Sequence, residues 1–464
     1  MRYLLLAGIA LGLVGCAVGP DDTRPSIPAS AKGAFATSHA VDSADPVDDW
    51  WRLYRDPVLD RLIEDALAAN TDVRVAVARL GRARASVREA ASAERPTATL
   101  DASATYGRTS AVDTIPGNAR QGRRIDLGLD VAYEVDMFGR VSRRVEAARD
   151  EAAASAADVD ATRIAVVAET TRAYADAASA LARLQIEQAD VDLLDRSVAI
   201  MTRRADIGLT TPLEASRTAA LRDQRRAEAA SIEAERQAAL FRLATLTGRA
   251  PADLPAIAAE RSLPLVLDQS IPVGDGARLL ARRPDVHAAE RRLAATTSRI
   301  GVATADLYPR ISLGGSLGST GGGTGDLFGT GPLRWMLGPL ITWDINRAAV
   351  RARIAEAQAD QQEALAMFDR TVLRALEETE TALSGYAYTL ERQEALRTAL
   401  DHARRAAEIT RAQRREGQVD TLAALDAERT LVLAQADLAL VTARVSDAQI
   451  DVFRALGGRW QAPR

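Results

Sequence analysis

Of the chain's 464 residues one is cysteine, one is lysine and three are histidine, and each scarcity closes off a chemistry. A lone Cys16 excludes any disulfide within one chain. Lys32 lies in a Pro- and Ser-rich stretch, away from any glycine-rich phosphate loop, so there is no Walker-type nucleotide site. His39, His287 and His402 are isolated and lack metal-ligand spacing. The Gly-rich run from Gly314 to Gly331 has no Lys-Ser/Thr after it and reads as a hairpin loop. The sequence therefore reads as a non-enzyme with no catalytic residues, no metal and no cofactor. Aromatics make up only 4%, which suits close helix–helix packing better than a bulky core. Net charge is −4 with no basic stripe, which argues against nucleic acid as a partner. The longest absence is of helix breakers: between Arg140 and Ile207 there is neither glycine nor proline.

What fills that gap is a helix of outsized length, at ~1.5 Å per residue roughly 100 Å long. A strand with strict period-two alternation feeds it. Ile125, Leu127, Leu129, Val131, Tyr133, Val135 and Met137 are apolar, with Asp126, Asp130, Glu134 and Asp136 between them. Before it, Asp56-Pro57 caps a first helix, and a second runs from about Thr71 to Glu94, ended by Pro96. A weaker alternation follows over 97–107. The long helix ends at Gly208, and Thr211-Pro212 opens a return helix to Gly248.

The pattern then starts again. Asp285 opens a helix ending at Pro309, as Asp72 opens one ending at Pro96, and both pairs lie 213 residues apart. Strands over about 309–319 and 333–345 lead into a second long helix, 347–416, which stops at Gly417. A return helix closes the chain. The domains are thus a first structural repeat at 48–260, with strands 97–107 and 125–137 and long helix 140–207, and a second at 261–464.

Four strands of this length match tilted membrane strands, but four cannot close a barrel, and open edges are not tolerated in lipid. Several chains must share one barrel, and three would supply twelve strands. Asp126, Asp130, Glu134 and Asp136 would then line an acidic lumen that favours cations, while Tyr133, Trp335 and Trp343 suit interfacial girdles. A soluble sheet with one buried face is the plainer alternative. The second long helix carries an apolar stripe (Val350, Ile354, Leu365, Phe368, Val372, Leu376) at three-to-four spacing, which calls for helix neighbours along its whole length. A helical barrel and a solid coiled-coil rod both satisfy it. The fold class is mostly α with a membrane β portion.

At the N-terminus, Arg2 precedes eleven apolar residues, Leu4 to Val14, too short to span a bilayer and suited to a signal peptide over 1–15. Leu13-Val14-Gly15-Cys16 resembles the lipobox of bacterial lipoproteins, which implies a covalent lipid on Cys16. Residues 16–47 then read as a lipid-anchored tether. Ala17, rather than Asp, favours the outer membrane by the same resemblance.

The whole mature chain resembles the TolC-like outer-membrane efflux proteins, especially their NodT-type lipoprotein branch. The resemblance rests on GCAVGPD at 15–21, DDWWRLYRDPVLDRLIEDALAAN at 48–70, YEVDMFGR at 133–140, LLARRPDVHAAERRLAA at 279–295, IGVATADLYPRISLGGSLG at 300–318 and ALGGRW at 455–460. It implies a homotrimer with a twelve-strand β-barrel continuous with a long periplasmic α-barrel, in the outer membrane. It also implies docking to a periplasmic adaptor and an inner-membrane RND-type pump, with small toxic compounds or drugs as cargo. A protein-secretion duct and a non-conducting coiled-coil envelope lipoprotein are the other readings. By resemblance the tip is closed by Leu422, Asp426 and Arg429, spaced to share one helix face. The adaptor would meet the turns at Arg203, Arg204, Gly208 and Leu213, and at Arg414, Arg415, Gly417 and Leu422. One departure stands out: where the family carries a Phe-Asp-Gly-Gly-Arg-like turn, this chain has Asp344-Ile345-Asn346-Arg347.

Overall fold

The computed structural model describes residues 17–37, 41–117, 119–325, 327 and 333–457. Cys16 and the signal segment lie outside the described residues. The helices are α1 Pro57–Ala69, α2 Thr71–Ser92, α3 Arg140–Asp206, α4 Pro212–Leu246, α5 Gly276–Arg282, α6 Pro284–Ala305, α7 Arg347–Arg415 and α8 Thr421–Leu456. The strands are β1 Val41–Asp42, β2 Thr97–Arg108, β3 Gln121–Val135, β4 Ile271–Pro272, β5 Arg310–Gly321 and β6 Leu333–Thr342. No described helix is long and apolar enough to cross a membrane.

The chain divides into two compact units, and each draws on both halves of the sequence. The first comprises Met1–Pro25, Arg79–Ala156 and Ala288–Asp369. Its centre is an antiparallel sheet in the order β2-β3-β5-β6. Because side chains alternate with period two, register sorts them by face. One cross-strand row reads Leu100, Leu129, Leu317 and Trp335, the next on that face Ala98, Val131, Gly315 and Leu337. Between them lies Thr99, Asp130, Ser316 and Met336. The weak alternation of β2 is thus completed by its partner strand, and one face of the sheet is apolar apart from polar residues that include Arg123 and Ser319. Trp335 on that face is 74% exposed in the single chain. Below the sheet, Arg291–Asp150 (3.1 Å) and Arg299–Glu151 (3.3 Å) tie α6 to α3.

The second unit comprises Ser26–Ala78, Ala157–His287 and Arg370–Arg464. Asp56 caps α1 by accepting from Val58 and Leu59 N–H groups at 2.9 and 3.2 Å. Its second oxygen, buried, accepts from the Tyr174 hydroxyl (3.0 Å) and Arg261 (2.7 Å), so the cap also anchors α3. Trp50 stacks on Phe453 with ring centroids 4.7 Å apart. Leu59, Ile63, Leu243, Leu279, Leu383 and Ile450 fill the core around them. Each such side chain contributes about 1.5–3 kcal/mol on leaving water.

Several expected boundaries shift. β3 begins at Gln121 rather than Ile125 and stops at Val135, because the Asp136–Gly139 turn intervenes. Asp136, expected on the lumen face, lies past the strand. β6 stops at Thr342, so Trp343 is also outside it; its indole N–H donates to the Leu307 carbonyl at 3.1 Å. Residues 16–47, expected as an extended tether, are docked where described. Phe35 is buried, the Ala36 N–H donates to Glu380 at 2.7 Å, and β1 pairs in parallel with β4. One buried aromatic, a short strand pair and the Ala36 hydrogen bond are among the contacts that hold a stretch whose composition alone reads as loose.

Candidate functional site

Four places carry the residues singled out by sequence: the polar face of the sheet, the two strand-to-helix junctions, the two helical turns, and α8. On the polar face, Asp126, Asp130 and Glu134 lie in line on β3. They are not equally free. Asp126 accepts from Arg124 (2.7 Å) and from the Thr320 hydroxyl (2.6 Å). Glu134 accepts from two guanidinium nitrogens of Arg140, Nε at 2.8 Å and Nη2. Asp130 alone makes no ion pair among the described residues. The face is therefore less acidic than its carboxylates suggest, because arginines from the same and the following element neutralise two of them.

At the first junction Asp136 accepts from the Val141 and Ser142 N–H groups at 2.9 and 2.8 Å, capping α3, and Gly139 turns the chain with φ +78°. Phe138 stacks on Tyr308, centroids 4.5 Å apart. At the second, no residue takes a positive φ. Asp344 accepts from the Asn346 N–H at 3.0 Å, and Arg347 lies over the Trp343 ring at 5.8 Å.

The helical turns at Gly208 and Gly417 are built alike. Gly208, with φ +73°, donates to the Ala205 carbonyl at 3.0 Å while Leu209 donates to Arg204 at 2.8 Å. Gly417, with φ +72°, donates to Arg414 at 3.0 Å while Gln418 donates to Gln413 at 2.9 Å. Both are Schellman ends, in which glycine relieves the left-handed penalty at the residue past the helix. Arg203, Arg204, Arg414 and Arg415 sit in the last turns, where cations favour the dipole. Ile207, Leu209 and Leu213 are exposed around the first turn, at 65%, 66% and 55%.

On α8, which Asp420 caps through the Ala423 N–H (2.8 Å), Asp426 and Arg429 are both exposed and make no ion pair among the described residues. The side chain of Leu422 lies outside the described residues. Arg429 borders a cavity of about 100 Å³ with Asp190, Arg225, Arg414 and Glu428. Glu428 binds Arg411 across from α7, one contact at 2.7 Å.

Two features had no counterpart in the sequence reading. A cavity of about 300 Å³ lies among Asp176, Arg183, Arg242, Arg444 and Asp447. Burial, reinforced by the Asp176 charge, pushes the Asp447 carboxyl up to about 6 despite Arg172 and Arg444. The second feature is a larger, basic cavity under the sheet. Neither follows from sequence spacing, because the lining residues come from helices far apart in the chain. Among the described residues no cluster of His, Cys, Asp and Glu is suited to a metal.

The family model "Outer membrane efflux protein" matches residues 62–249 and 277–458. Outer membrane protein OprJ of Pseudomonas aeruginosa is 32% identical over 98% of this chain and 95% of its own. Nodulation protein T of Rhizobium leguminosarum bv. trifolii is 29% identical over 93% and 91%. The solved outer-membrane channel OprN is 36% identical, with a TM-score of 0.88 over 96% of this chain and all of its own. With the sheet's one apolar face and the two long helices that follow it, these likenesses make the chain a member of the outer membrane efflux protein family, located in the outer membrane.

Proposed function

We propose that three copies of the chain close a twelve-strand barrel above a helical barrel, and that this trimer is the exit duct of a tripartite pump for small toxic compounds. The observation that carries the reading is the open sheet: β2 and β6 each pair on one side only, while one face is apolar. Such edges are untenable in lipid unless neighbouring copies pair with them. Two sequence repeats fit the same scheme. The order α1-α2-β2-β3-α3-α4 recurs as α5-α6-β5-β6-α7-α8, with long helices of 67 and 69 residues and return helices of 35 and 36. The test is the mass of detergent-solubilised protein. A species of three 49.5-kDa chains is expected, and a monomer overturns the proposal.

Cys16 carries the lipid in this reading. In support, the residues just after it are held at the sheet's lower edge: the Val18 N–H donates to Phe138 at 3.2 Å, and Ala17 packs on Gly139. Mass spectrometry of the mature N-terminus should find a diacylglycerol-modified, acylated cysteine, and an unmodified one refutes this.

Leu422, Asp426 and Arg429 form the closing ring at the tip, with Asp426 and Arg429 left free to meet other copies. Asp426→Ala should raise the conductance of reconstituted trimers, whereas wild-type conductance removes the gate assignment. The turns around Gly208 and Gly417, with the exposed Ile207, Leu209 and Leu213, receive a periplasmic adaptor that links the duct to an RND-type pump. Charged replacements at Leu209 and Leu213 should abolish adaptor pull-down; retained binding excludes these turns.

A further inference from the structure

Beneath the sheet, within the first unit, lies a cavity of about 710 Å³. It is bordered by six arginines against three carboxylates, over a floor of alanines and Val302. Four helices contribute: Arg79 and Arg82 from α2, Arg140 and Arg144 from α3, Arg299 from α6 and Arg353 from α7. The carboxylates are largely committed. Glu151 pairs with Arg299 at 3.3 Å, and Asp306 pairs with Arg310 at 2.6 Å and Arg353 at 3.7 Å. The side chains of Arg79, Arg82 and Arg144 make no hydrogen bond or ion pair among the described residues. Three unpaired guanidinium groups face Glu89, the one lining carboxylate without an ion pair among the described residues, an excess of positive charge in a chain of net negative charge.

The cavity's side of the unit is fixed by two contacts. Arg140 reaches up to Glu134, on the polar face of β3, so the cavity opens on that face's side. The segment after Cys16 packs on the other side of the helices. On α6, Gly301 touches the Val18 carbonyl, where an added methyl would come within 3.1 Å. Gly301 lies about 200° around the helix from Arg299, which borders the cavity.

We propose that this cavity binds organic anions: a carboxylate, sulfonate or phosphate on an apolar body. The acid group would meet the forked N–H donors of Arg79, Arg82 and Arg144, and the body would cover the alanine floor. Guanidinium suits this role because it is always charged, weakly hydrated and able to engage two oxygens at once. In the trimeric duct, on which this placement rests, three copies form a basic belt on the wall directly below the strands. An anionic solute leaving the helical barrel would be held there before the barrel.

The probe is pyranine, a pyrene trisulfonate, titrated by fluorescence anisotropy into protein in non-ionic detergent. Saturable binding is expected, weakened about tenfold or more in the triple variant Arg79→Gln, Arg82→Gln, Arg144→Gln and weakened less in the matching triple Arg→Lys variant, which keeps the charge but loses the fork. Equal binding by the wild type and the Gln variant overturns the proposal, as does displacement of pyranine by phosphatidylglycerol but not by naphthalene sulfonate, which would make it a lipid site. Should the triple variant fail to fold, Arg82→Gln and Arg144→Gln singly must each weaken binding. In planar bilayers the Gln variant should shift the reversal potential towards cations. Channels with an unshifted potential refute the belt while leaving the duct intact; pyranine binding by protein that forms no channel refutes the duct while leaving the site.

Discussion

The long helices α3 and α7 begin differently and end alike. At its start α3 is entered through a glycine in the left-handed region, with Asp136 holding two of the first free N–H groups. The start of α7 uses no glycine: Asp344 folds its own backbone through the Asn346 N–H, and Arg347 covers Trp343. At the far ends, Gly208 and Gly417 make the same Schellman turn with φ values one degree apart. A helix end in water has few solutions, and glycine past the last turn is the cheapest conformationally. A junction packed against other chain segments can use whichever local hydrogen bonds its neighbours leave room for. The missing glycines of the Asp344–Arg347 turn therefore cost no strained backbone.

The sharpest way to break this contrast is Gly139→Val. A side chain there meets positive φ and also the Ala17 backbone at 2.8 Å, so both penalties apply. Roughly 2–3 kcal/mol or more of stability should be lost, read from urea unfolding in detergent. A loss under about 0.5 kcal/mol would mean that the junction tolerates another path. Next in size, Asp136→Ala removes two cap contacts and should cost about 1–2 kcal/mol, against roughly half that for Asp344→Ala; equal costs would make the two caps equivalent. Gly208→Ala and Gly417→Ala should each cost about 1 kcal/mol, because a Cβ meets nothing within 4 Å at either site and only the backbone penalty remains. Unequal effects would show that one turn is supported by packing. The smallest change is expected for Asn346→Gly, at most about 0.5–1 kcal/mol and acting through the unfolded chain. A stabilisation there would reveal strain that the φ values do not.

Much of the architecture was legible from period and punctuation. The absence of Gly and Pro from Arg140 to Ile207 marks α3 almost to the residue. Strict alternation marks β3, and the weaker β2 becomes readable through its likeness to the second copy. Strands stop short of the alternation where an alternating residue has another job: Asp136 continues the pattern but caps a helix, and Trp343 continues it but bonds Leu307. The docking of the described residues 26–37, 41 and 42 is not visible in the sequence, since Ala36 and Glu380 are distant along the chain and their hydrogen bond exists only in the fold. The partial neutralisation of the polar face was hidden as well, because alternation reports which side a carboxylate faces but not which arginine reaches it.

By itself the sequence determined the local grammar: which stretches are helix or strand, where helices stop, and which strand face is apolar. Those follow from backbone sterics and hydrophobic period, which act over a few residues. Tertiary structure alone decided which charges meet. The Asp176–Asp447 pair and the arginines under the sheet are assembled from separate helices, and Coulomb energies depend on distances that only packing sets.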